Sequence, residues 1–269
     1  MNPNKEHSLT IKMLKVLSAV AIAGTLVLTL KIAKKAVLHK RAKGKRAAVI
    51  LSGCGYLDGS ETTESIAVLV SLAELGIEAI VFAPDGTAMD VMDHQGAKPL
   101  GYVPRNMIQE SARLSRGGVK SLQELNVSDF DALVIPGGFG SAKNLSNWAV
   151  AESPKECKLN VEVKRALDEF FRAKKPIALC CISPVLAAVC FPGCTITVGK
   201  SEPAEKWPYG GTVGAVTSLG ANAIPCEVNE VVVDKDRLLV STPAFMCAAP
   251  KDEVFFGVRK MIQKMAWLL

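Results

Sequence analysis

The chain has 269 residues, 49% of them apolar, which is enough for one large α/β domain with an appendage and too apolar for a disordered class. Its net charge of +6 is local: residues 1–46 hold nine Lys and two Arg against one Glu, leaving 21 basic and 25 acidic residues in 47–269. That mildly acidic remainder speaks against a nucleic-acid surface, and eight scattered cysteines without a C-x2-C pair, beside only three histidines, exclude a zinc framework or a dense disulfide scaffold.

In chain order, residues 16–30 form an uncharged run of 15 residues flanked by Lys15 and Lys31. Two readings compete for the segment 1–46. It is basic and almost free of acid, as a mitochondrial targeting sequence is, though Lys-rich and apolar on all faces. As a membrane anchor through residues 16–30 it is shorter than the roughly 20 residues usually needed, with Lys15 and Lys31 placed to snorkel.

The domain 47–269 opens on an apolar run at 47–51, of the kind a parallel strand buried on both faces shows. Ser60 or Thr62 then caps a helix over about 64–75, with Ile66, Leu69, Val70 and Ala73 as its apolar stripe, and Gly76 ends it. A strand at 78–83 stops at Pro84-Asp85-Gly86. A helix near 106–115, a strand at 131–135 and an amphipathic helix over 158–174 follow, and the strand 177–180 feeds a helix from about 184. Beyond it the pattern predicts a strand at 195–198, a helix at 212–221, a hairpin over 231–241 and a closing helix from 252. Strand–helix–strand alternation implies a mostly parallel sheet with right-handed crossovers and helices on both faces.

In such sheets ligands gather outside the carboxyl ends of the strands. Three features fall there: 52–64, with Cys54, Glu61 and Glu64; 136–140, with Gly137 and Gly138; and Cys181; Asn144, shortly past the second, is a further binding candidate. Cys180 continues the strand alternation inward, whereas Cys181 is the last residue before the helical pattern. A thiol at that apex is expected to have a lowered pKa, because the helix N-terminus favours thiolate over thiol. A Gly137 or Gly138 amide, with that of Ile182, is placed to bind an oxyanion beside Cys181. Glu64 or Glu61 is placed to reach the sulfur as general acid or base. Each feature has an ordinary alternative: a core cysteine, a Gly-Gly loop, a glutamate serving a helix dipole. No G-x-G-x-x-G or Walker sequence is completed, so neither a nucleotide nor another cofactor is expected, and no metal.

The segments S-G-C-G-Y-L-D-G-S-E-T-T-E at 52–64, F-A-P-D at 82–85, V-I-P-G-G-F-G-S-A-K-N-L-S-N at 134–147, C-I-S-P at 181–184 and S-T-P-A-F-M at 241–246 resemble the class I glutamine amidotransferase-like superfamily. The resemblance is to its ThiJ/PfpI branch and, within it, to ElbB-type proteins and their mitochondrial relatives in animals. It implies a flavodoxin-like three-layer sandwich, an elbow cysteine at Cys181, an oxyanion pocket from Gly138 and Ile182, and Glu64 as the glutamate near the sulfur. It also implies a mitochondrial location and a homodimer. The departure is that no histidine follows His94, and Ile182 stands where protease-like members carry theirs. ElbB-type proteins share this lack and have been assigned weak glyoxalase-like activity. Thiol addition to a small reactive carbonyl therefore heads the expectations, because an aldehyde has no leaving amine to protonate. A non-catalytic or redox-responsive mitochondrial factor comes second, and an ammonia-releasing amidotransferase subunit last.

Overall fold

A computed structural model of the chain describes residues 29, 32–34, 36–101 and 103–269. The chain divides into two compact units, Met1–Arg41 and Ala42–Leu269. Apart from Thr29, the apolar run at 16–30 lies outside the described residues. Among the described residues, no helix is long and apolar enough to cross a membrane.

The second unit is built on a seven-stranded sheet. Its strands in chain order are β1 (Arg46–Ile50), β2 (Glu78–Ala83), β3 (Lys120–Ser121), β4 (Ala132–Ile135), β5 (Ile177–Cys180), β6 (Val232–Asp234) and β7 (Leu239–Thr242), arranged β6-β7-β5-β4-β1-β2-β3. All neighbouring pairs are parallel except the β6–β7 hairpin, which is antiparallel. The central strands β1, β4 and β5 are buried throughout except for Arg46, as their continuous apolar runs require of a sheet covered on both faces. Helices α1 (Thr62–Glu74), α2 (Met107–Ser115) and α7 (Lys251–Ala266) pack together over one face, and α4 (Val161–Arg172) and α5 (Pro184–Cys190) cover the other; a short α3 (Phe139–Lys143) follows β4, and α6 (Gly211–Ser218) touches α5. This is a flavodoxin-like three-layer α/β sandwich.

Strand order turns at β1, which has β2 on one side and β4 on the other. The carboxyl ends of β1, β4, β5 and β7 therefore deliver the segments after Ile50, Ile135, Cys180 and Thr242 to one edge.

Three expectations need correction. The N-cap of α1 is Glu61, whose carboxylate accepts the Glu64 N–H at 2.7 Å. The Ser60 hydroxyl is taken instead by the Ser52 N–H, at 2.9 Å, and packs against the Ser52 hydroxyl. The apolar stripe of α1 also faces the other way. Ile66 and Val70 are 38% and 41% exposed, while Ala67, Val68, Ser71 and Leu72 are buried. Periodicity alone could not separate these rows, because the helix is apolar on both and its inner row uses small residues for close approach to the sheet and α7. Finally, the strand expected at 195–198 is only Thr195–Ile196, paired with Asn222–Ala223. Beyond it the Thr197 N–H turns to the Ser241 hydroxyl, and the Thr197 hydroxyl accepts the Gly199 N–H.

The inward row carries the packing, so Leu72→Ala is expected to lower the unfolding free energy by about 2–5 kcal/mol and Val70→Ala by less than about 1 kcal/mol. Urea denaturation of the two variants checks this, and equal losses would return the buried face to Val70.

Candidate active site around Cys181

Strand β5 ends on Cys180, and the next residue, Cys181, turns the chain with φ of +61°, a left-handed conformation unusual for a residue with a β-carbon. Ser183 holds this elbow. Its hydroxyl accepts the Cys180 N–H at 3.0 Å and lies 2.8 Å from the Ile135 carbonyl oxygen, so the turn is tied to the neighbouring strand β4. The Cys181 N–H donates to the Thr242 carbonyl at 3.1 Å, tying it to β7 on the other side. The left-handed turn sets the Cys181 side chain into a cavity of about 560 Å³.

Glu64, in the first turn of α1, is completely buried. One carboxylate oxygen accepts the Gly137 N–H at 2.8 Å and lies 3.7 Å from the Cys180 sulfur; the other accepts the Phe245 N–H at 3.3 Å. The Cys181 thiol stands beside the same carboxyl, near enough for its charge to bear on the sulfur. The backbone amides of Gly138 and Ile182 face the Cys181 sulfur.

The paired glycines are required by space. A β-carbon on Gly137 would stand 2.3 Å from that of Cys181 and 2.7 Å from the Glu64 carboxylate. One on Gly138, which has φ of +97°, would stand 2.3 Å from the Gly59 carbonyl oxygen.

The expected groups are thus brought together in part. Cys181, Glu64, Gly137, Gly138 and Ile182 share one corner, and Glu61 lines the cavity while capping α1. Cys54 and Asn144 lie elsewhere. Cys54 borders a separate space of about 10 Å³ with Asp58, Val91 and Glu110, smaller than a water molecule needs. Asn144 is a loop tie: its amide donates to the Ser52 and Asp58 carbonyls and accepts the Met89 N–H. Part of the cavity wall was not anticipated as such, since Tyr209 and Ala248–Pro250 come from loops without periodicity. The signals available were the segments 52–64, 134–147 and 241–246, whose Tyr56, Phe139, Phe245 and Met246 line the wall. Among the described residues no histidine lines the cavity; His94 meets the cavity-lining Tyr56 edge-on at 5.3 Å. Among the described residues, no group of His, Cys, Asp and Glu is arranged to hold a metal ion.

The electrostatics reverse one expectation. Burial, and next the Glu64 charge, hold the Cys181 thiol well above its ordinary pKa, against the amides of Gly138 and Ile182, which favour thiolate. Helix α5 has only seven residues, and its N-terminus does not overcome a carboxylate in contact with the sulfur. Burial, and next Glu61, likewise raise Glu64 from 4.5 to about 7, in spite of the Gly137 and Phe245 amides. The site therefore carries fewer negative charges at neutral pH than its residues would in water, and Glu64 is poised between acid and base.

The folded chain thus holds a proton on Glu64 that the unfolded chain releases between pH 4.5 and about 7, so stability from this group is full below that window and is lost as pH rises through it. Urea unfolding of the parent chain and of Glu64→Gln at pH 5 and pH 8.5 is expected to show the stability difference moving in the variant's favour by about 2–3 kcal/mol at the higher pH. A difference that stays constant with pH would contradict the burial of an ionisable proton here.

No protein-family model matches the chain. It is 46% identical over 234 residues to the ES1 protein homolog, mitochondrial, of Rattus norvegicus, covering 86% of this chain and 87% of that protein. It is 45% identical, with the same coverage, to glutamine amidotransferase-like class 1 domain-containing protein 3, mitochondrial, of Homo sapiens. Among solved structures it is similar to an isoprenoid biosynthesis protein with amidotransferase-like domain from Ehrlichia chaffeensis, 33% identical with a TM-score of 0.75 over 84% of this chain and 99% of that one. With that identity spread over most of its length, the chain belongs to the family of glutamine amidotransferase-like class 1 domain (ES1) proteins.

Proposed function

We propose that the chain is a mitochondrial enzyme converting 2-oxoaldehydes to 2-hydroxy acids, with Cys181 as nucleophile and Glu64 as the proton carrier. The mitochondrial part rests on the names of its relatives and on the basic, acid-poor segment 1–46. The chemistry rests on one observation above the others: a fully buried carboxyl, its pKa raised to about 7 by burial, set beside the cysteine that lines the cavity.

The sequence of steps follows from those groups. As the sulfur bonds to the aldehyde carbon, Glu64 takes the thiol proton and returns it to the aldehyde oxygen, whose developing charge the Gly138 and Ile182 amides stabilise. The product is a hemithioacetal. Glu64 then removes the proton from that same carbon and delivers it to the adjacent carbon, while the hemithioacetal hydroxyl proton passes to the former ketone oxygen; the first carbon becomes the thioester carbonyl and the second carries the hydroxyl, giving a 2-hydroxy thioester. Water cleaves the thioester, releasing the 2-hydroxy acid and restoring the thiol. The net change is addition of one water to the aldehyde, with no external oxidant or reductant.

A thiol held high in pKa suits this substrate class. Aldehydes accept a thiol whose proton moves in concert, whereas amide cleavage needs a cation beside the sulfur and an acid for the leaving amine. Among the described residues no lysine, arginine or histidine lines the cavity, so they offer nothing to pair with the carboxylate of glutamine.

Purified full-length chain is expected to form lactate from methylglyoxal. Cys181→Ser should abolish the reaction, and Glu64→Gln should slow it by about 10²–10⁴-fold. Lactate formed equally well by Cys181→Ser would refute the mechanism.

A further inference from the structure

Around the reacting corner the cavity is far larger and less polar than the smallest 2-oxoaldehyde requires. Methylglyoxal has five non-hydrogen atoms. At about 30 Å³ for each water-sized group it would occupy roughly 150 Å³, against a cavity of about 560 Å³. The remaining space is walled by Tyr56, Phe139, Pro208, Tyr209, Phe245 and Met246, with Ala248, Ala249 and Pro250 beyond.

This wall is fixed. Trp207, 2% exposed, is packed so closely on Gly199 that a β-carbon there would lie 2.4 Å from its ring, and it anchors the turn that presents Pro208 and Tyr209. The Tyr209 ring meets Phe139 edge-on at 5.8 Å. The Ala248 N–H donates to the Lys206 carbonyl at 2.8 Å, joining the turn to the segment after β7. Among the described residues Glu61 is the only charged one in the lining, and its carboxylate is committed to the first turn of α1.

From this we infer that the substrate is an uncharged 2-oxoaldehyde bearing an apolar substituent, an alkyl chain of roughly six carbons or an aryl group, and that anionic 2-oxo compounds are excluded. The inference rests on the reaction proposed above and specifies its substrate. The physical basis is twofold. Each methylene moved from water into an apolar wall favours binding, and pockets of this size bury most of a ligand larger than methylglyoxal. An anion entering the same space would lose its hydration with no cation to receive it.

Two measurements on the full-length chain test the two layers separately. In turnover, kcat/KM for 2-oxo-octanal and for phenylglyoxal is expected to exceed that for methylglyoxal at least tenfold, and Ala249→Trp, which narrows the cavity, is expected to shrink that ratio. In binding, followed by ligand-observed NMR, 2-octanone is expected to bind at least tenfold more tightly than butanone, and 2-oxo-octanoate more weakly than 2-octanone. These ketones cannot undergo the isomerisation, so binding reads the wall without the chemistry. If no aldehyde is turned over while the ketone trend holds, the proposed reaction falls and the apolar ligand class stands. If methylglyoxal is turned over as well as the longer aldehydes, or the ketones bind alike, or the anion binds best, the substrate inference is overturned.

Discussion

The molecule is organised around a carboxyl group in the wrong solvent. Glu64 is fully buried, and an ionised carboxylate placed there without partners would be very costly. The fold meets that cost with contacts from three other strand ends. The Gly137 N–H comes from the segment after β4, the two thiols from the end of β5, and the Phe245 N–H from the segment after β7. Glu64 itself is carried in by α1 after β1. The parallel order β7-β5-β4-β1 makes this convergence possible, since all four strands end at the same edge. The glycine at 137 follows from it, because a side chain there would collide with both Cys181 and the carboxylate.

The same carboxyl sets the chemistry that the elbow can support. In isolation, a cysteine at a helix N-terminus beside two backbone amides would ionise easily. Here, burial and the adjacent Glu64 outweigh that arrangement, and the proton stays with the pair. Among the described residues no histidine lines the cavity, and with the Glu61 carboxylate engaged as the cap of α1, Glu64 is the group placed to move that proton. A site of this kind is best matched to a reaction in which one proton shuttles between neighbouring atoms, and poorly matched to one that must expel an amine.

Much of this was legible from the residues. Continuous apolar runs marked β1, β4 and β5 because strands buried on both faces have no polar alternation to confuse them, and the break after Cys180 marked the elbow. The assignment of Glu64 over Glu61 came from resemblance, and the structure supplies its physical ground: Glu61 is occupied as the helix cap. What escaped the sequence did so for identifiable reasons. The α1 stripe was misplaced because its buried row is built from Ala67, Ser71 and Leu72 and its exposed row from larger aliphatics. The thiol pKa was misjudged because local rules see a helix terminus but not the charge packed on it from α1. The cavity wall at 207–209 and 247–250 was invisible because loops brought together by long-range packing leave no period in the sequence.

The account stands on the ionisation of one side chain. A carbon-13 NMR titration of the Glu64 carboxyl in the intact chain, assigned by its disappearance in Glu64→Gln, measures it directly. The structure requires a midpoint near 7. A midpoint at the ordinary glutamate value of about 4.5 would show the group to be solvated, with no proton held between the carboxyl and the thiol.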